Sequence, residues 1–189
     1  MKIISDKDDN RVHRAKTQKI YLVNRDVSDE SATFTIMGTT GKIYEVELAG
    51  SPICSCPDYQ QRKNRCKHIL FMLVKIFNVD EPYQEEFALK EIKEFIKEYK
   101  KNIEKFNVKY DIEGGCVDVG AKCIDDDCVI CLDSLQNGEP YIYCKTSCGR
   151  CMHDDCYNMV VKNIKRCPYC NMPNFVASKI CNTTKINKN

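Results

Sequence analysis

Cys128-Val129-Ile130-Cys131, Cys144-Lys145-Thr146-Ser147-Cys148, His153-Asp154-Asp155-Cys156 and Cys167-Pro168-Tyr169-Cys170 are the four pairs of metal-ligand residues that decide the fold of this chain. Together they offer enough thiolate and imidazole for two tetrahedral zinc sites. Residues 128–170 are too short a segment to build a stable apolar core alone, so bound metal has to supply what burial cannot. In a cross-brace, Cys128, Cys131, His153 and Cys156 hold one zinc, while Cys144, Cys148, Cys167 and Cys170 hold the other. Neither ion is then chelated by a contiguous stretch, and the whole segment folds as one unit. Cys151 leaves an alternative open, because Cys148-x2-Cys151 can replace Cys144-x3-Cys148 as the second pair.

A further set of ligands lies upstream. Cys54-x-Cys56, a gap of nine residues, and Cys66-x-His68 supply three thiolates and one imidazole, a closed set with no position left for a catalytic water. Three runs rich in β-branched and aromatic residues precede it, at 19–24 (KIYLVN), 32–37 (ATFTIM) and 42–48 (KIYEVEL), with Thr40-Gly41 as a turn between the last two. After it, Ile69, Leu70, Leu73, Val74 and Phe77 recur at helical spacing. The upstream site therefore joins a small antiparallel sheet to a helix. Its loop carries Arg62, Lys63, Arg65 and Lys67, cations able to meet the phosphates of a nucleic acid or simply to be solvated.

Composition sets the outer bounds. The chain has 189 residues, 14 of them cysteine, and is 43% hydrophobic, so one or two small domains fit. Its start turns acidic too early to form the apolar core of a signal peptide, so the thiols are expected to be reduced and metal-bound in a cytoplasmic or nuclear protein. The most apolar run, 69–77, is broken by Lys75 and is far shorter than the roughly 20 residues of a membrane span. A net charge of +2 gives no overall field that demands a nucleic-acid partner.

These signals predict an α+β protein of small zinc-stapled modules: a three-stranded antiparallel sheet with helices, then a cross-brace finger. Residues 1–16 are charged and aperiodic and read as a mobile N-terminus. The first module occupies 17–79. A helix is expected over 80–107, with Asp80 as its cap and Pro82 in its first turn. Within it Leu89, Ile92, Phe95, Ile96, Tyr99, Ile103 and Phe106 form an apolar face, and a heptad seam in that face either packs on the sheet module or permits a dimer; packing is favoured. Gly114-Gly115, Gly120 and the acidic 125–127 mark a linker over 108–127. The second module spans 128–172, and 173–189 read as a flexible tail.

CSCPDY and CKHILFMLV around the upstream site, with strands ahead of them, resemble the SWIM zinc finger over about residues 12–79. The stretch YCKTSCGRCMHDDCYNMVV followed by RCPYC resembles the RING of SWIM-plus-RING ubiquitin ligases, a group that includes zinc-finger SWIM proteins and one large MAP kinase kinase kinase. The joint resemblance covers about residues 12–172. Histone-reading PHD fingers share the ligand order but place an aromatic where Lys165 stands. The membrane-associated RING variant has one residue between its third and fourth ligands, not the three between Cys144 and Cys148.

The resemblance implies an E3 ubiquitin ligase with three zinc ions per chain, in which the RING recruits a ubiquitin-conjugating enzyme and the SWIM domain recognises a protein substrate. RING ligases form no covalent intermediate with ubiquitin; they position a charged conjugating enzyme so that a substrate lysine can attack. In such domains the docking roles fall on Ile130, Val160 and Pro168. Relatives often carry tryptophan where Val160 stands, and many active RINGs place a ubiquitin-bridging arginine where this chain has Asn171. The phrase CGRCMH favours Cys148 as the ligand and Cys151 as a spare thiol. With His153 committed to zinc, no free base is evident to activate Cys151 as a nucleophile. The rival expectation is a non-enzymatic zinc adaptor that binds protein or DNA.

Overall fold

The structure, a computed structural model, describes residues 6–84, 86–104, 120–121, 127–135, 140–161, 164–173 and 176–180. Two compact units divide the chain, Met1–Lys105 and Phe106–Asn189.

In the first unit β1 (Tyr21–Val27), β2 (Ala32–Met37), β3 (Ile43–Leu48) and β4 (Ile53–Cys54) form one antiparallel sheet in chain order. The expected three strands are joined by a fourth, β4, whose two residues are too few to leave a periodic signal. In β2, Ala32, Phe34 and Ile36 are buried and the threonines between them half-buried, the alternation a pleated strand imposes. Phe34 sits opposite Arg25 and Val46, and its ring meets Phe77 edge-on at 5.5 Å and Tyr99 at 5.7 Å. Gly41 takes a φ of 76° in the β2–β3 turn, a conformation glycine adopts without steric cost.

Helix α2 (Pro57–Arg62) follows Cys56, with proline at its first position and Lys63 closing it in the left-handed region. Helix α3 (Lys67–Phe71) runs on into a π-helical turn, Met72–Ile76. Ile69, Leu70, Phe71, Met72 and Leu73 are all fully buried. Helix α4 (Leu89–Glu104) buries Ile92 and Ile96, while Tyr99 accepts a hydrogen bond from Arg25 at 3.0 Å. Its apolar face is therefore packed on its own sheet module.

Three sequence expectations need correction. Residues 6–17 are not a loose end: α1 (Asp6–Thr17) lies against α3, with Ala15 fully buried. Two apolar positions, Val12 and Ala15, among charged and polar neighbours are too few to announce such a helix. Helix α4 starts at Leu89 rather than Asp80, because Phe87 turns inward and donates its N–H to Gly50 at 2.7 Å. Glu91 then accepts the Ala88 N–H at 2.7 Å, the side-chain half of a capping box. The third correction concerns the tail, where β7 (Ala177–Ile180) pairs with β5 (Tyr141–Cys144). Most of the expected linker, and Ile103's side chain and Phe106 in the expected seam, lie outside the described residues.

In the second unit the sheet order is β6-β5-β7, with β6 covering Cys151–His153. All four residues of β5 are buried. A single turn of helix, α5 (Asp154–Cys156), and a π-helical turn, Tyr157–Val161, follow β6. Among the described residues, no helix is long and apolar enough to cross a membrane.

Candidate metal centres

Cys54 comes from β4, Cys56 caps α2, and Cys66 and His68 open α3, so one strand end and two helix starts converge on one point. Their four ligand atoms lie within 4.8 Å of one another. His68 Nδ1 is 4.0 Å from Cys54 Sγ and 3.9 Å from Cys66 Sγ. A tetrahedral ion bound at ~2.3 Å to sulfur and ~2.0 Å to nitrogen sets its ligands roughly 3.5–3.8 Å apart, so the group fits zinc. The other edge of His68 is tightly confined. A Cβ on Gly38 would stand 2.9 Å from its Nε2, and the Tyr44 ring lies 4.7 Å away. Among the described residues this buried Nε2 has no hydrogen-bond partner.

The second unit gathers two further groups: Cys128, Cys131, His153 and Cys156, and Cys144, Cys148, Cys167 and Cys170. The two alternate along the chain. His153 Nδ1 faces Cys131 Sγ at 3.4 Å and Cys156 Sγ at 3.8 Å, and its Nε2 meets the Ser134 carbonyl at 3.2 Å. With Nδ1 on metal, Nε2–H donates to that carbonyl and fixes the ring.

Three tight cysteine turns share one backbone pattern. The N–H groups of Leu132, Gly149 and Asn171 donate to the carbonyls of Cys128, Cys144 and Cys167 at 2.9, 3.0 and 2.9 Å. All three donors have left-handed φ values, 60°, 71° and 60°. Each directly follows the second cysteine of its pair, which places Cys144 and Cys148 in one turn. Cys151 instead lies in β6 and is disulfide-bonded, whereas the ten other described cysteines form no disulfide. Cys116, Cys123 and Cys181, along with the Asn182-Thr183-Thr184 sequon, lie outside the described residues.

Thiols crowded this closely cannot all ionise without a cation. The Cys66 thiol is held down to about 4, chiefly by the Cys54 thiol donating to it, and the same bond pushes Cys54 far up. At Cys128 burial works upward, but hydrogen bonds from Cys131 and Cys156 outweigh it and bring the group down to about 3. Cys170 is lowered by bonds from Cys144, Cys148 and Cys167, while Cys167 is raised by its bonds to the other thiols of its group, Cys144 first. A divalent ion relieves this conflict by taking every ligand in its deprotonated form.

The other expected residues are placed differently. Ile130 is fully buried, Val160 is 2% exposed and Pro168 is buried, whereas Asn171 is exposed. Of the loop cations, Arg62 pairs with Asp58 at 3.1 Å, and Arg65 lies over the Phe87 ring with a guanidinium N–H on the Gln84 carbonyl. Lys67 reaches Gln18 and Thr39, and Lys63 lies over Tyr59. These contacts tie the loop cations to their own unit. Sequence reasoning missed Gly38, Tyr44 and Ser134, whose relation to the ligands exists only in three dimensions.

One closed centre at a sheet-to-helix junction, followed by two interleaved centres, defines a protein built from cysteine- and histidine-ligated zinc fingers. The family model for the SWIM zinc finger matches residues 44–76, and that for the Ring finger domain matches residues 126–171. The chain thus carries a SWIM finger followed by a RING finger, as the sequence resemblance implied. It is also similar to the "E3 ubiquitin-protein ligase Zswim2" of Mus musculus, with 27% identity over 145 residues, 65% of this chain and 22% of that protein. It spans about a fifth of that relative's length. No solved structure matches.

Proposed function

We propose that this chain acts as an E3 ubiquitin ligase, its RING recruiting a charged ubiquitin-conjugating enzyme and its SWIM finger selecting a protein substrate. The observation that carries this reading is the pair of interleaved zinc centres downstream of a SWIM centre, the order found in the ligases the chain resembles. Zinc here is structural: each centre has four protein ligands and no open position. The protein contribution is therefore positioning. On this reading the docking roles fall on Ile130, Val160, Pro168 and Asn171, of which the first three are buried and Asn171 is exposed.

Incubation of the zinc-loaded chain with activating enzyme, a panel of conjugating enzymes and ubiquitin is expected to give ubiquitin chains or self-modification. Cys128→Ser should remove them by emptying the RING. Burial of Ile130, Val160 and Pro168, which withdraws three expected docking residues from the surface, favours a second reading, a non-enzymatic zinc adaptor for protein partners. No response from any conjugating enzyme would select the adaptor.

A further inference from the structure

We propose that Arg150 is a positioning residue of the four-cysteine centre, its buried guanidinium offsetting the charge of the four thiolates and so slowing the loss of zinc there. Four thiolates around a dication leave a net charge of about −2, against about −1 where a neutral imidazole replaces one of them. A charge of that size inside a protein calls for a counter-charge.

The inventory of buried polar side chains points to where that counter-charge lies. Among the described residues they are His68, Ser147, Arg150 and His153. Two of these are ligands, and the other two flank Cys148. Ser147 hydrogen-bonds Cys170, and the Arg150 carbonyl accepts the Cys144 N–H at 3.1 Å. The Arg150 guanidinium lies over the Tyr169 ring, 4.9 Å from its centroid. Tyr169 packs on Cys144, Cys148 and Cys167, and stands between Cys167 and Cys170 in sequence. Arg150 is thus tied to the first turn of the centre through its backbone and to the last through its side chain. Arginine at 7% exposure is uncommon, and here the cation stacks on the ring that packs against the most negative of the three centres.

The test uses the full chain loaded with three zinc ions, with transfer to a chromophoric chelator timed. Arg150→Gln is expected to release one zinc about tenfold faster, the low end of what loss of a partner to a metal ligand costs. Arg150→Lys, which keeps the charge, should stay within about twofold of the parent chain on the same scale. Cobalt in place of zinc identifies the centre affected, because four-thiolate and three-thiolate sites absorb differently. Parent-like release from Arg150→Gln overturns the proposal. So does equal acceleration in both variants, since stacking on Tyr169 alone would then be at work. If Arg150→Gln fails to fold, citrulline at position 150, introduced by ligation at Cys128, keeps the planar shape and removes the charge. Parent-like release from that chain rejects the proposal, and faster release supports it.

Discussion

The two imidazoles are oriented by opposite means. His153 is held by a hydrogen bond from its Nε2–H to a carbonyl, whereas His68 is wedged between Tyr44 and a glycine whose missing side chain leaves it room. Gly38→Ala therefore drives a methyl group against His68 Nε2 at 2.9 Å. Overpacking of this kind costs about 1–3 kcal/mol. The SWIM centre should lose its metal first, so zinc per chain falls from three towards two while the RING centres stay loaded. Metal analysis after dialysis at low free zinc checks this, and full occupancy would sink the idea. Asn171 illustrates a different compromise. Its φ of 60° is one that asparagine tolerates better than most residues, so the turn gives a backbone reason for asparagine where many RINGs have arginine. On the ligase reading, Asn171→Arg should raise ubiquitin discharge from the conjugating enzyme at a cost of about 1–2 kcal/mol in stability. A discharge rate no higher than the parent's would show that this position does not touch ubiquitin. The twelve ligand positions were legible because metal chemistry dictates spacing along the chain. Gly38 was not, since thirty positions separate it from His68 and a glycine before Thr39-Thr40-Gly41 reads only as part of a turn.

Elements were legible where they carry a periodic apolar face and obscure where neighbouring units complete them. The strands β1 to β3 and the helix after His68 announce themselves through alternation and helical spacing, but β4 has two residues and exists because β3 offers it an edge. The same reasoning explains β7. ASKI has little strand character of its own, yet its pairing with β5 is reinforced by Lys179 bonding Asp154 at 2.7 Å and by the Lys145 N–H donating to Val176 at 2.8 Å. Strand β5 contributes Cys144 to one zinc centre and places Tyr141 opposite His153, a ligand of the other. Removing residues 176–189 strips one side of this strand. At roughly 1 kcal/mol for each net hydrogen bond, the loss should be about 2–4 kcal/mol of stability in the RING unit. Denaturant titration followed by RING zinc release measures it, and an unchanged midpoint would show that β7 only rests on the sheet.

At the scale of the molecule, the chain combines one metal centre that folds with its own sheet and helices and two that can form only together. The first unit has an apolar core built on Phe34, Ile69, Leu70, Phe71 and Ile96, so its zinc adds to a fold that burial already supports. Among the described residues the second unit has fewer large, fully buried side chains, Ile130 and Met152, and its ligands alternate between the two groups along the chain. Emptying one centre frees the segment that carries half the ligands of the other. Substitutions should therefore act unequally on metal content. Cys66→Ser is expected to lower zinc from three to two per chain, and Cys144→Ser to lower it from three to one, although each removes a single ligand. Native mass spectrometry of both variants reads the counts directly. A Cys144→Ser chain that keeps two ions would mean that the RING centres bind independently, and the interlocking that holds the second unit together would have to be abandoned.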